Sequence, residues 1–411
     1  RRNVGPYHIH LASPVGRRRD DRRYLRDILA EDENRTELGL YLMRRHPTDL
    51  FMVVYNNIDR IQHQTLSRSV SEELQSRTLR SPEAELVAKV YEETDAKVGR
   101  ILSQIDEDTL LMIMSDHGAG PMEKVFFLNR WLEENGWLAF KEPSKKSLYH
   151  SVRKARTLSK RFLPRWGKNL IKSRIPGLRD RIESYLAFSE VDWERTKAYG
   201  FGMYGNIRIN LRGREPGGIV EPGSEYEALR SKIGERLESL RDPDLDDKVV
   251  DRVVKREQIY HGPYVDRAPD LLVQWKGYSY YTSVRSDPTR HGLFGPCDHI
   301  DSSEYRHVGT HRLEGIFMAA GGGIREGGRI EGTEIGDLAP TLLYFLGQPV
   351  PRDMDGRVLK EMFTPDFWAQ NRLKLCEPLP DDDESSRPSV PYPQAEASQV
   401  CQRLKGLGYL E

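Results

Sequence analysis

The chain has 411 residues, enough for one large α/β domain or for two or three smaller domains. Its 63 basic and 63 acidic residues cancel, which excludes a general attraction of the whole chain to nucleic acid or to a membrane surface. Three cysteines are too few for a disulfide framework, no apolar run could span a bilayer, and residues 1–10 lack a signal-peptide core, so we expect a cytoplasmic protein.

The first elements predicted are a helix and a strand. Residues 20–46 have leucines at helical spacing, and Pro47 ends the pattern because proline cannot continue the helical hydrogen bonds. The run 50–55 is short, apolar and β-branched, which is typical of a central strand in a parallel sheet.

A second helix and strand follow. Ser81 is a suitable N-cap and Pro82 fits the first helical position, so residues 81–105 predict a helix. The apolar run 109–115 predicts a second buried strand. With the strand over 50–55, this order predicts a right-handed βαβ unit.

The remaining elements alternate in the same way. They are strands with glycine-rich turns over 191–220, a helix over 223–241, strands over 268–275 and 315–324, and a helix over 335–347.

Composition divides the chain into three parts. Within 141–181, fourteen Lys and Arg residues face two acidic residues, so we predict a basic helical insertion over 137–190. Its basic side chains either form a solvated face or attract an anionic substrate, nucleic acid or a lipid surface. Residues 1–136 and 191–362 then form the α/β core, and residues 363–411 form a C-terminal arm with a short docking helix.

Five carboxylate and imidazole side chains lie beside the predicted strands. Asp59 and His63 follow the first strand and would share one face of a helical turn, whereas Asp116 and His117 directly follow the second. His311 precedes a later strand. Mixed nitrogen and oxygen ligands favour zinc, with manganese and iron as alternatives, and two such ions could clamp a phosphoryl group.

These residues belong to segments that resemble the type I phosphodiesterase/nucleotide pyrophosphatase family of the alkaline phosphatase superfamily. The segments are DLFMVVYNNIDRIQHQ, LLMIMSDHGAGP, NRWLEENGWL, RAPDLLVQ, GTHRLEGIFMAAGGGI and IGDLAPTLLYFLGQPVPRDMDGRVL. The resemblance implies an alkaline-phosphatase-like, mostly parallel sheet flanked by helices. It also implies one metal ion on Asp59, His63 and His311, and a second on Asp116 and His117.

The resemblance further implies an upstream aspartate and a nucleophilic threonine or serine, which we do not find in this chain. Ser13 and Thr36 carry hydroxyl groups before the first predicted strand, but neither follows an apolar strand. Either the sequence is part of a longer enzyme or half of the site has been lost, and we expect the former. The chain alone should then hold at most one ion tightly and hydrolyse phosphodiesters poorly.

The expected function is metal-dependent hydrolysis of phosphoric esters, above all phosphodiesters or nucleotide pyrophosphates, at a two-metal site. The expected partner is a small anionic phosphoester. Binding of nucleic acid or a membrane through the basic insertion is the less favoured alternative. Other open alternatives are a sulfatase, a phosphosugar mutase, and a non-catalytic metal-binding protein.

Overall fold

The computed structural model describes residues 21–141, 188, 191–283, 292–297 and 308–378. The helices are α1 (Asp21–Arg45), α2 (Asn57–Thr65), α3 (Arg68–Gln75), α4 (Pro82–Leu102), α5 (Leu128–Glu134), α6 (Ser224–Glu238), α7 (Leu338–Phe345) and α8 (Pro365–Gln370). The strands are β1 (Leu111–Met114), β2 (Gly118–Pro121), β3 (Lys124–Phe127), β4 (Ala198–Phe201), β5 (Asn206–Ile209), β6 (Arg241–Asp242), β7 (Asp247–Lys248), β8 (Val250–Lys255), β9 (Leu271–Trp275), β10 (Tyr280–Ser283), β11 (Phe294–Gly295), β12 (Gly309–Arg312), β13 (Phe317–Ala320), β14 (Val350–Pro351) and β15 (Leu375–Cys376).

These elements form two compact units. Unit 1 contains the described residues up to Met122 and those from 308 to 378, and unit 2 contains the described residues from Glu123 to 297. Among the helices described, none combines the length and the apolar character that crossing a membrane requires.

One core of unit 1 is built from helices α1, α2 and α4. Ile28, Ile61, Val87 and Val90 are buried together where these helices meet. Helix α4 begins as the sequence predicts, because the Ser81 Oγ accepts a hydrogen bond from the Ala84 N–H at 3.2 Å and Pro82 needs no hydrogen-bond acceptor.

Unit 1 also contains two antiparallel strand pairs. Strand β1 pairs with β13, and strand β2 pairs with β12, where His311 lies opposite Ala119. A second core packs against one face of β1 and β13 and includes Tyr344, Leu359 and Phe363. Each strand pair therefore places a segment from residues 111–121 beside one from residues 309–320.

The strand predicted over 50–55 is wrong. No strand is assigned there, and Leu50, Met52 and Val54 are 56%, 82% and 57% exposed. A strand needs a neighbour for its backbone groups, and within the described ranges no strand pairs with this segment. The βαβ unit predicted with it is wrong as well, since β1 pairs antiparallel with β13.

The structure is mixed α/β, but the expected mostly parallel sheet is not confirmed. In the described part of the chain the sheets are small and mostly antiparallel, with parallel pairing between β3 and β10 and between β14 and β15. A parallel sheet was expected because the apolar runs 50–55 and 109–115 predicted two buried strands. Among the described strands, none pairs with residues 50–55.

Unit 2 is centred on an antiparallel sheet with the strand order β4-β5-β9-β8. Its core includes Ile207 and Leu271 from this sheet and Ile233 and Leu237 from helix α6. Helix α6 confirms the helix predicted over 223–241.

A buried carboxylate stands at the start of β9. Asp270 accepts hydrogen bonds from the Arg214 guanidinium at 2.7 and 2.6 Å, from the Ile209 N–H at 2.6 Å and from the Tyr226 hydroxyl at 2.5 Å. Burial alone would raise the pKa of Asp270, but these bonds outweigh burial and hold its pKa below the usual value.

Other predicted elements are confirmed with shifted ends. They are the helix over 20–46, and the strands within 109–115, 191–220, 268–275 and 315–324. The helix over 335–347 is confirmed as α7. Most of the basic insertion, and the arm beyond residue 378, lie outside the described residues, so the three-part division of the chain stays a prediction.

Candidate metal centre

Helix α2 presents Asp59 and His63 on one face. Asp59 lies in its first turn and His63 in its last, and the Asp59 Oδ1 is 3.3 Å from the His63 Nε2. The opposite face is fixed inside unit 1, because Ile61 is fully buried and the Asn57 Nδ2 donates to the Ile28 carbonyl oxygen at 2.9 Å. The buried face thus sets the direction of the two polar side chains.

His311 reaches the same place from strand β12. Its Nε2 lies 2.9 Å from the His63 Nε2 and 3.8 Å from the Asp59 Oδ1. The structure therefore brings together three residues that are separated by as many as 252 positions, counted from 59 to 311.

His117 joins this cluster from the turn between β1 and β2. Its Nε2 is 3.9 Å from the Asp59 Oδ1, and its ring stacks on that of His311 with centroids 3.6 Å apart. Asp116 is more exposed, and its Oδ1 lies 3.6 Å from the His117 Nε2. The resemblance implied a second ion on Asp116 and His117, whereas here Asp59, His117 and His311 offer ligand atoms within 4.8 Å of one another.

The segments that carry these residues approach one another backbone to backbone. A Cβ on Gly118 would collide with the Glu314 carbonyl oxygen, and one on Gly315 would lie 2.6 Å from the Ser115 Oγ. A Cβ on Gly309 would collide with the Gln62 carbonyl oxygen. We did not identify Gly309 or Gly315 from the sequence. Their only signal in the sequence is that each is a glycine close to a residue predicted to bind a metal.

The ionisation of the cluster reflects one carboxylate among three imidazoles. Burial would raise the pKa of Asp59, but its hydrogen bond to His63 and the nearby histidine charges outweigh burial and lower this pKa. Burial would lower the pKa of His63, but the hydrogen bond to Asp59 raises it overall. Burial, with His117 and His63 nearby, lowers the pKa of His311 to about 4.

The donor set fits a divalent metal ion. The His63 Nδ1 lies 3.0 Å from the Gly309 carbonyl oxygen and the His117 Nδ1 lies 2.9 Å from the Gly118 carbonyl oxygen, so each can donate from Nδ1 and keep Nε2 for a metal. Imidazole nitrogen and carboxylate oxygen are zinc ligands. The assignment of these side chains as metal ligands stays a prediction.

The family model for type I phosphodiesterase/nucleotide pyrophosphatase matches residues 4–313. The chain belongs to this family. The type I phosphodiesterase/nucleotide pyrophosphatase family is part of the alkaline phosphatase superfamily, and its enzymes are metal-dependent hydrolases. Neither a curated protein nor a solved structure matches the chain significantly.

Of the two hydroxyl groups considered for the nucleophile, that of Thr36 is not part of this cluster. Thr36 is buried inside helix α1, where its Oγ1 donates to the Asp32 carbonyl oxygen at 2.8 Å and shares a 2.8 Å hydrogen bond with the Tyr55 hydroxyl. Ser13 lies outside the described residues. A nucleophilic threonine or serine upstream of this chain stays a prediction.

Proposed function

We propose that this chain is a metal-dependent hydrolase of phosphoric esters that acts on phosphodiesters or nucleotide pyrophosphates with two divalent ions, preferably zinc. The convergence of Asp59 with the Nε2 atoms of His63, His117 and His311 carries the proposal. Membership in a family of such hydrolases supports the same reaction class.

Each side chain has a distinct part in this proposal. A bound divalent ion would polarise a phosphoryl oxygen and stabilise the charge that develops on it. Asp59 supplies negative charge at the centre of the cluster. His311 is neutral at pH 7 because its pKa is about 4, and in its Nδ1-protonated tautomer it would offer Nε2 to a metal. Asp116 and His117 would hold the second, weaker ion.

The proposed substrate is a small anionic phosphoester. The formal charge of the whole chain is zero, so attraction of the substrate must come from the metal centre or from a local basic patch. The basic residues within 141–181 are candidates for such a patch, but they lie outside the described residues.

The test measures zinc binding and ester hydrolysis by this chain and, in parallel, by the product of its complete reading frame. We expect one tightly bound zinc ion in the chain and a second, weaker one. In the complete product we expect turnover of an aryl phosphodiester and a nucleotide pyrophosphate, which chelation abolishes and zinc restores. An aryl sulfate and an aryl phosphomonoester are the matched comparison substrates.

Two outcomes would overturn the proposal. Preferential turnover of the aryl sulfate would indicate a sulfatase. Metal binding without turnover of any ester by the complete product would indicate a non-catalytic metal-binding protein.

A further inference from the structure

The last turn of helix α2 and the first residues of strand β12 are joined by two hydrogen bonds. The Val308 N–H donates to the His63 carbonyl oxygen at 2.9 Å, and the His63 Nδ1 lies 3.0 Å from the Gly309 carbonyl oxygen. His63 is therefore held by residues 308 and 309 through both its backbone carbonyl and its ring.

Glycine is required at position 309 for space. A Cβ there would collide with the Gln62 carbonyl oxygen and would lie 3.1 Å from the Leu66 Cβ. The backbone of Gly309 does not have the positive φ that many other glycines of this chain adopt, so a side chain is excluded by the neighbouring helix and not by local strain. Any side chain would push β12 away from α2.

This contact fixes which ring nitrogen of His63 faces the other ligands. When the Nδ1–H donates to the Gly309 carbonyl oxygen, the Nε2 points towards the His311 Nε2 at 2.9 Å and the Asp59 Oδ1 at 3.3 Å. A histidine whose Nδ1–H has a fixed acceptor keeps one ring orientation.

We propose that Gly309 is a positioning residue that acts through His63. Its carbonyl oxygen accepts a hydrogen bond from the His63 Nδ1–H and so fixes the ring orientation, and its missing side chain lets that oxygen approach the ring. The effect on metal binding rests on the proposed function, whereas the effect on the Nδ1–H hydrogen bond does not.

Gly309→Ala is the direct test, and Gly99→Ala is its matched control. Gly99 lies on helix α4 of the same unit and has no atom within 4 Å of an added Cβ, so the same methyl group meets open space there. In the metal-free protein, ¹H–¹⁵N NMR should show a hydrogen-bonded, slowly exchanging His63 Nδ1–H in the wild type and in Gly99→Ala. In Gly309→Ala this Nδ1–H should exchange faster with water, whether or not Nε2 also carries a proton.

Zinc titration gives the second readout. We expect Gly309→Ala to bind zinc about 10- to 100-fold more weakly than the wild type, as is typical when a hydrogen-bond partner of a metal ligand is lost, with Gly99→Ala unchanged. A wild-type Nδ1–H exchange rate and wild-type zinc affinity in Gly309→Ala would overturn the inference. If the wild type binds no zinc, the metal-site proposal fails and the Nδ1–H measurement alone decides the role of Gly309.

A second variant covers the case in which Gly309→Ala does not fold. His63→Nδ1-methylhistidine keeps the Nε2 ligand atom but cannot donate from Nδ1. We expect the same loss of zinc affinity in this variant, and an unchanged affinity would contradict the positioning role.

Discussion

Asp59 is the carboxylate around which the rings of His63, His117 and His311 gather. Its Oδ1 lies between 3.3 and 3.9 Å from the Nε2 of each ring. Three imidazoles without an anion between them would repel a cation as soon as one became protonated. The carboxylate should therefore contribute more to cation affinity than any single ring.

We predict that Asp59→Asn weakens zinc binding by at least about 100-fold, because loss of a charged ligand should cost no less than the upper range for loss of a group that only supports a ligand. The substitution keeps the shape of the side chain and removes its charge. Calorimetric zinc titration measures the change. Asp95→Asn, an exposed position on α4, is the control and should bind like the wild type, and equal affinities of all three proteins would exclude Asp59 as a ligand.

Asp32 is a buried carboxylate of unit 1 that lies outside the metal centre. Burial raises its pKa, against the smaller opposing effects of Asn57 and of Arg35, whose Nη1 is 3.5 Å away. A raised pKa in the folded state means that this carboxyl group favours folding most when it is protonated. Its contribution is fully present below the unfolded value of 3.8 and is lost as the pH rises through the folded pKa.

We predict that Asp32→Asn is more stable than the wild type by about 1 kcal/mol at about pH 8, because a buried charge without full compensation is removed. The difference should shrink at about pH 4, because the raised pKa leaves more of the wild-type carboxyl group protonated there than at about pH 8. Urea unfolding at both pH values measures it. A variant that is less stable than the wild type at the higher pH would show that the pair with Arg35 outweighs burial.

Among the elements, helix α4 could be predicted from the sequence, whereas the conformation of residues 50–55 could not. The signals for α4 are local, since Ser81 caps the helix and Pro82 begins it. A strand over 50–55 depends on a pairing partner elsewhere in the chain, which an apolar run does not reveal. The same limit applies to the site: the spacing of Asp59 and His63 predicted a shared helical face, but the stacking of His117 on His311 depends on the pairing of β2 with β12.

We predict that Ser81→Ala destabilises unit 1 by about 1 kcal/mol, the usual cost of losing an N-cap hydrogen bond. The Ser81 Oγ accepts from the Ala84 N–H at 3.2 Å and also donates to the Glu73 carboxylate at 3.1 Å. Ser103→Ala, at the other end of α4, removes a hydroxyl that donates to the Arg100 carbonyl oxygen and caps no backbone N–H group of the helix, so it should cost less. Chemical unfolding followed by circular dichroism compares the two, and equal costs would argue against a capping role.

At the scale of the whole molecule, the two units have separate cores and different buried polar groups. In unit 1 the carboxylate of Asp32 is buried on helix α1. In unit 2 the carboxylate of Asp270 is buried beside Arg214 and Tyr226. The lowered pKa of Asp270 means that its contribution to stability is present above the unfolded value of 3.8 and is lost as the pH falls through the folded pKa. The two carboxylates therefore respond to acid in opposite directions.

We predict that Asp270→Asn destabilises unit 2 by about 3 kcal/mol at neutral pH, because it removes the buried carboxylate that pairs with Arg214 and leaves this guanidinium with Glu215 alone among the described residues. Hydrogen exchange should become faster in peptides covering 198–209 and 271–275 and stay unchanged in peptides covering 82–102. Asp266→Asn, which removes an exposed partner of Arg256, is the control and should change little. Faster exchange in both units would show that their stabilities are not separable.

The glycines at the close backbone approaches of the metal centre also limit how this sequence can diverge. Every single-base change in a glycine codon that alters the amino acid adds a side chain, because glycine alone has no Cβ. At Gly118, Gly309 and Gly315 the added atom would meet a carbonyl oxygen or a hydroxyl of the facing segment. Evolutionary changes in metal preference should therefore arise at the ligands themselves or at the exposed Asp116, and not through the spacing of the backbones that carry them.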